Sequence, residues 1–223
     1  DVLEELGVPI DLPVQDLRQC VIGEGAGFLF APLYHPAFKA VVPVRKELAS
    51  EGIRTVFNLI GPLLNPVKLD YQLVGVFDPE LTSTFADILG KLGRKRAWAV
   101  HGKGPNNEGM DELSLCSETK VSEWGSDEVN EFSIRPEDFD LSPCTLDDLK
   151  GGDPKENAAI INSILSNEGD GPKRDIIALN AAAGFVVTGI ASDIGNGLEI
   201  AQRFIKDGTS MGKLDSLRNF KAN

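Results

Sequence analysis

The stretch from Gln72 to His101 constrains the fold more than any other part of the chain. Gln72 to Phe77 (QLVGVF) is a short apolar run of strand length. Asp78-Pro79 then supplies an N-cap and a proline for the first helical position, and the helix it opens ends at Gly93. Arg96 to His101 (RAWAVH) is the next strand. Two strands joined through a helix by such short links lie parallel, connected by a crossover. A sheet that contains such a pair needs helices to cover it.

The remaining pattern agrees with that start. Helices are expected at Val14 to Ile22, from His35-Pro36 to about Glu51, and at Asn157 to Leu165. More are expected at Asp175 to Ala191, Leu198 to Lys206 and Ser210 to Phe220. Pro43 should kink or split the second of these, and Gly52 should stop it. Phe28-Leu29-Phe30 has the length of a buried strand that Pro32 ends. Thr55 to Ile60 is a short apolar segment. Lys120 to Trp124 and Val129 to Ile134 alternate and read as a hairpin closed by a Gly-Ser-Asp turn. Pro136 to Leu149 reads as loop with an acidic cluster. The expected class is α/β, a central mixed and largely parallel sheet flanked by helices, forming a single domain over residues 1–223.

Composition removes several functions. A formal net charge of −12 repels nucleic-acid phosphates, which argues against general DNA or RNA binding. The hydrophobic fraction of 42% is too high for wholesale disorder. Ile176 to Ala191 is 16 residues long and interrupted by Asn180 and Thr188, so it reads as a core helix and not as a membrane span. The opening Asp1-Val2-Leu3 has neither a basic nor an apolar targeting region. The first methionine is Met110, so these residues are expected to be part of something longer. Cys20, Cys116 and Cys144 are odd in number and widely spaced, which predicts reduced thiols in a cytoplasmic protein.

Few residues point to chemistry singly. Asp111-Glu112 follows the turn-rich Asn106-Asn107-Glu108-Gly109. Neighbouring strand residues face opposite ways, so both carboxylates reach one site only if the backbone turns, which Gly109 permits. Such a pair suits Mg²⁺ and is equally an ordinary acidic turn. Arg45 has a fork that fits a carboxylate, or it is a solvated surface arginine. Gly61-Pro62 and Asn65-Pro66 make a stiff loop that serves as a ligand wall or a plain turn. His35 and His101 lack the spacing of a zinc site. Cys116 has no partner pattern for a nucleophile. GEGAGFLF precedes a strand-like run, the wrong order for a phosphate loop.

Order changes the weight of these signals. FLFAPLYHPAFKAVVPVRKEL, GIRTVFNLIGPLLNP, YQLVGVF, AVHG, GMDELS and NAAAG follow one another through nearly the whole chain. In that order they resemble the anthranilate phosphoribosyltransferase family of tryptophan biosynthesis. The resemblance implies the catalytic-domain fold of nucleoside phosphorylases and phosphoribosyltransferases. It implies transfer of the phosphoribosyl group of phosphoribosyl pyrophosphate to anthranilate with Mg²⁺ as cofactor. It gives Asp111 and Glu112 the metal, Arg45 the anthranilate carboxylate, Gly61 and Pro62 a wall of the anthranilate channel, and Phe38 a place near its mouth. Asn180 to Ala183 become part of a core helix.

The family's GTGGD-like loop, its N-x-S-T and K-H-G-N elements, and the small helical domain that forms its homodimer precede the first residue here. These 223 residues alone are therefore expected to lack transferase activity. ELASEGIRT replaces an expected shorter ELGIRT. A pyrimidine nucleoside phosphorylase is the nearest alternative, but its lysine- and serine-rich pyrimidine segment is missing. A non-catalytic nucleic-acid-binding relative on the same scaffold would need a basic face and the loss of Asp111-Glu112.

Overall fold

The computed structural model describes residues 1–35, 41–53 and 55–222, without the side chains of Arg45, Lys46 and Ala49. In chain order the elements begin with helices α1 (Val2–Glu5), α2 (Val14–Glu24), α3 (Ala31–Tyr34) and α4 (Val42–Ser50). Then come β1 (Tyr71–Gly75), α5 (Leu81–Lys91), β2 (Arg96–Lys103), β3 (Gly109–Met110), β4 (Thr119–Gly125) and β5 (Glu128–Ile134). The helices α6 (Leu146–Leu149), α7 (Pro154–Leu165), α8 (Pro172–Val187), α9 (Ile194–Lys206) and α10 (Thr209–Arg218) close the series. The chain divides into two compact units. Asp1–Val67, Gly152–Asn162 and Thr209–Asn223 form the first, and Lys68–Gly151 with Ser163–Gly208 the second.

The second unit holds the sheet, in the order β1-β2-β4-β5 with β3 also on β2. β1 and β2 are parallel, Tyr71 opposite Arg96 and Gly75 opposite Val100, as the helix between them requires. β2 pairs antiparallel with β3 and β4, and β4 with β5. The mixed sheet and its flanking helices match the expected class. Parallel pairing is confined to β1 and β2 among the described residues, because the β2–β3 and β4–β5 links are short and fold back as hairpins, while β4 pairs antiparallel on the other edge of β2.

β2 is buried along most of its length, which makes it the central strand. Its alternation sorts the two faces. Ala97 and Trp124 are register partners on one face, where Trp124 Nε1 donates to the Arg94 carbonyl in the link between α5 and β2. Trp98, Val100 and Val121 point to the other face and join Leu179, Ala182, Ala183 and Val186 of α8 in the main core. The ring of Trp98 meets Phe132 of β5 edge-on at 5.4 Å. Glu123 accepts from Arg96 Nη2 at 2.8 Å and from Trp98 Nε1, so the buried indole N–H is satisfied. α9 covers α8 with its apolar stripe of Ile194, Leu198, Ala201 and Ile205.

In the first unit α10 packs on α2. Arg218 reaches from α10 to the Leu6 carbonyl at 2.5 Å and to Asn162 Oδ1 at 2.6 Å, tying the three segments of this unit together.

Several local expectations need correction. Phe28-Leu29-Phe30 is not a strand: it stays partly exposed and leads into α3, where Pro32 occupies the first turn. Three apolar residues without a pairing edge do not make a strand. Pro43 does not kink a helix, because α4 begins at Val42 and the proline falls in its first turn. Residues 36–40 lie outside the described residues. Asp78-Pro79 forms a turn ahead of α5, with Asp78 Oδ1 accepting from Glu80 N at 3.0 Å, and the helix itself starts at Leu81. Thr55 to Ile60 contains a short 3₁₀ turn, Val56–Asn58. Pro136 to Leu149 contains a 3₁₀ turn and α6. Among the described residues no helix is long and apolar enough to cross a membrane.

Candidate functional site

The acidic pair owes its place to strand order. At Gly102, β4 occupies one edge of β2, so β3 pairs on the edge that β1 uses. β3 therefore takes up that edge where β1 stops, and the chain leaving β3 crosses the carboxyl end of β1. Parallel strands of α/β sheets present their ligand sites at this end. The approach is close. A Cβ on Gly75, the last residue of β1, would lie 1.5 Å from the Asp111 carbonyl oxygen. A Cβ on Gly102 of β2 would lie 2.5 Å from that of Glu112. Only bare backbone at both positions lets residues 111 and 112 lie on the strand ends. The turn that the pair needs follows Met110. Gly109, expected to supply it, is a regular β3 residue opposite Lys103.

Side chains then fix the loop. Asn180 of α8 accepts from Leu113 N at 2.9 Å and donates to the Leu113 carbonyl at 3.0 Å. It also donates to the Ile176 carbonyl at 3.0 Å. One amide thus satisfies both backbone groups of the residue after the pair. Ser114 Oγ donates to the Lys103 carbonyl at 2.6 Å and accepts from Cys116 N at 2.9 Å, while Ser114 N donates to Thr119 Oγ1 at 2.8 Å. Leu113 and Leu115 are fully buried on either side of Ser114. The loop is polar in sequence and anchored like core.

Asp111 and Glu112 themselves are exposed. Crowding by surrounding atoms nevertheless raises the Glu112 carboxyl above its ordinary range, and the Asp111 charge adds to the rise. Lys103 pairs with Glu118 at 3.1 Å, and Arg135 joins the same carboxylate at 3.2 Å. Among the described residues no cation pairs with Asp111 or Glu112. Two exposed, like-charged, hard oxygen donors fit Mg²⁺, which takes few carboxylates and fills its shell with water and phosphate oxygens. Among the described residues no group of three or more His, Cys, Asp or Glu could hold a metal, so a fully protein-caged ion is not what this donor set builds. His101 is buried in β2, its Nδ1–H donating to the Val76 carbonyl at 2.8 Å.

The other candidates belong to the first unit. Arg45 lies in α4, its side chain outside the described residues, and Phe38 lies outside them altogether. Gly61 and Pro62 open an exposed 3₁₀ turn, Gly61–Leu63. Asn65 Oδ1 accepts from Val67 N at 2.9 Å, and Asn58 Oδ1 from Thr55 N at 2.9 Å, so local side-chain bonds set the shape of this loop. A cleft of about 460 Å³ between Asp1, Ile10, Phe30 and Arg218 contains none of the candidates.

The positioning role of Asn180, Gly75 and Gly102 has no local signal in the sequence, since all three sit in ordinary helix or strand text. The meeting of Cys116 with Cys144, Sγ to Sγ 3.6 Å, also goes unpredicted.

Comparison with known proteins gives a consistent result. The model of the glycosyl transferase family, a/b domain, matches residues 1–211. The anthranilate phosphoribosyltransferase of Desulfatibacillum aliphaticivorans is 43% identical over 220 residues, 99% of this chain and 63% of that protein. The crystal structure of anthranilate phosphoribosyltransferase from Thermus thermophilus superposes with a TM-score of 0.89 at 40% identity, covering 98% of this chain and 63% of that one. The Saccharomyces cerevisiae anthranilate phosphoribosyltransferase in complex with PRPP and Mg gives 0.87 at 26% identity, covering 98% and 61%. The chain thus spans somewhat under two thirds of the length of these relatives.

Proposed function

Since the chain belongs to the glycosyl transferase family through its a/b domain, we propose that it serves phosphoribosyl transfer from phosphoribosyl pyrophosphate to the amino group of anthranilate, releasing pyrophosphate, in tryptophan biosynthesis. One observation carries the reading. The Asp111-Glu112 pair is held at the carboxyl ends of two parallel strands by Gly75, Gly102 and Asn180, with no cation of the described residues upon it. The relatives' names and the yeast structure with PRPP and Mg support it.

Asp111 and Glu112 present their oxygens to Mg²⁺. The bound ion supplies charge that offsets what builds on pyrophosphate as its bond to C1 of the ribose lengthens. C1 turns cation-like in that step, and the protein's remaining task is to hold the amine in line with it. Arg45 grips the anthranilate carboxylate with its planar fork. Gly61 and Pro62 form a wall of the anthranilate channel, and Phe38 stands near its mouth. The family match runs through both units over residues 1–211, which supports reading residues 1–223 as one α/β domain. A cytoplasmic location and homodimerisation belong to the same proposal.

The test uses the protein expressed from its complete reading frame. Anthranilate fluorescence is followed with phosphoribosyl pyrophosphate, with and without Mg²⁺. The expected result is loss of anthranilate only when donor and metal are both present. Persistent anthranilate, together with phosphate-dependent cleavage of a pyrimidine nucleoside, would instead favour the phosphorylase alternative.

A further inference from the structure

Cys116 and Cys144 are separated by 28 positions in the chain, and the β4–β5 hairpin fills the interval. Both are free thiols. Their sulfurs stand 3.6 Å apart. Two backbone contacts keep them there, independent of the sulfurs themselves. Cys144 N donates to the Leu115 carbonyl at 3.1 Å, so the segment at 144 is hung from the residue next to Cys116. Cys116 N donates to Ser114 Oγ at 2.9 Å, and Ser114 is in turn fixed to Lys103. Leu115 is fully buried and belongs to the main core, so this anchor does not fray. A disulfide closes at about 2.05 Å, so the two sulfurs have about 1.5 Å to close.

We propose that Cys116 and Cys144 are a dithiol site which a hydroperoxide converts to an intramolecular disulfide. In the first step the thiolate of one cysteine attacks the peroxide O–O bond. An S–O bond forms as the O–O bond breaks, and the distal oxygen takes up the proton that the first thiol released and leaves as water, or as the alcohol of an organic hydroperoxide. The second cysteine's sulfur then attacks the first. The S–S bond forms, the S–O bond breaks, and the oxygen leaves as water with the second thiol's proton. Two thiols and one peroxide give one disulfide and two molecules of water, or one of water and one of alcohol, and the peroxide is the species reduced.

Burial, then the hydrogen bond with Cys116, push the Cys144 thiol up to about 12, which keeps it protonated at neutral pH. The site therefore oxidises slowly compared with thiols that are ionised at neutral pH. The half-buried Cys144 gives peroxide its approach, while Cys116 is only 7% exposed. Cys20 lies in the first unit and bonds to the Ala26 carbonyl, so it serves as an internal control.

The experiment uses the protein expressed from its complete reading frame. The protein is exposed to hydrogen peroxide, quenched, denatured, alkylated and digested without reductant. The expected result is an intact-mass loss of about 2 Da and a linked peptide pair holding Cys116 and Cys144, both reversed by a reductant. Cys20 remains open to alkylation. Cys144→Ser, at a half-buried position, should show no such mass loss. The proposal is overturned if Cys116 and Cys144 end as separate oxyacids or alkylated thiols. It is equally overturned if the Cys144→Ser variant loses the same mass.

Discussion

At the scale of single residues, the acidic pair depends on atoms that are missing. Gly75→Ala would drive a methyl into the Asp111 backbone, whose carbonyl oxygen lies 1.5 Å from the ideal Cβ position. Backbone cannot step aside as a side chain can. Loss of roughly 2 kcal/mol or more is expected, measured by urea unfolding. Asn180→Ala removes both bonds to Leu113 and should cost about 1–3 kcal/mol. Its more specific signature is faster hydrogen exchange at the Leu113 amide. An unchanged exchange rate there would remove Asn180 from the support of the loop. Asp111 and Glu112 are legible in the sequence as an acidic pair after a turn. Their supports are not, because Gly75, Gly102 and Asn180 act through contacts with residues remote in the chain. Cys116 and Cys144 stay separate on the page for the same reason.

At the scale of elements, the β4–β5 hairpin turns through Ser126 and Asp127 at φ 52° and 63°. Gly125 pairs with Glu128, so only these two residues make the turn, and both sit in the left-handed region. That is the type I′ geometry, which Asn-Gly suits better than Ser-Asp. Ser126→Asn with Asp127→Gly should stabilise the chain by about 1 kcal/mol, read as a higher thermal midpoint. A lower midpoint would mean that the turn is not built this way.

Elements with their own strong period are legible in the sequence: the β1–α5–β2 crossover, the hairpin, and α8 to α10. The failures share a cause. Phe28-Leu29-Phe30 is apolar enough for a strand, but only an edge to pair with makes one, and that is decided by the tertiary fold. Pro43 looks interior in a pattern read from Pro36, of which residues 36–40 lie outside the described residues, while in α4, which begins at Val42, it is a first-turn proline.

At the scale of the whole molecule, charge sets how stability responds to pH. Glu118, through its bond to Lys103, and Glu131, through its bond to Lys120, lie below the ordinary carboxylate range. A lowered carboxylate contributes stability above its unfolded value and loses it as pH falls through its folded value. Glu112 runs the other way, raised first by the crowding of surrounding atoms, which displaces water from its carboxyl, and then by Asp111. Its contribution is present in acid and is lost as pH rises through its folded value. Glu112→Gln should therefore match the wild type in acid and exceed it at neutral pH, a comparison that unfolding midpoints across pH will decide. The site thus gives up stability for a charge that only a bound cation relieves.

That exchange defines the most direct test. Mn²⁺ is titrated, with inorganic pyrophosphate present, into the protein expressed from its complete reading frame, and the free metal is read by electron paramagnetic resonance. The account predicts that the wild type retains the Mn²⁺–pyrophosphate complex and that Asp111→Asn with Glu112→Gln weakens it by more than about tenfold. Equal binding by the wild type and the double variant would contradict the account and reduce the pair to surface charge.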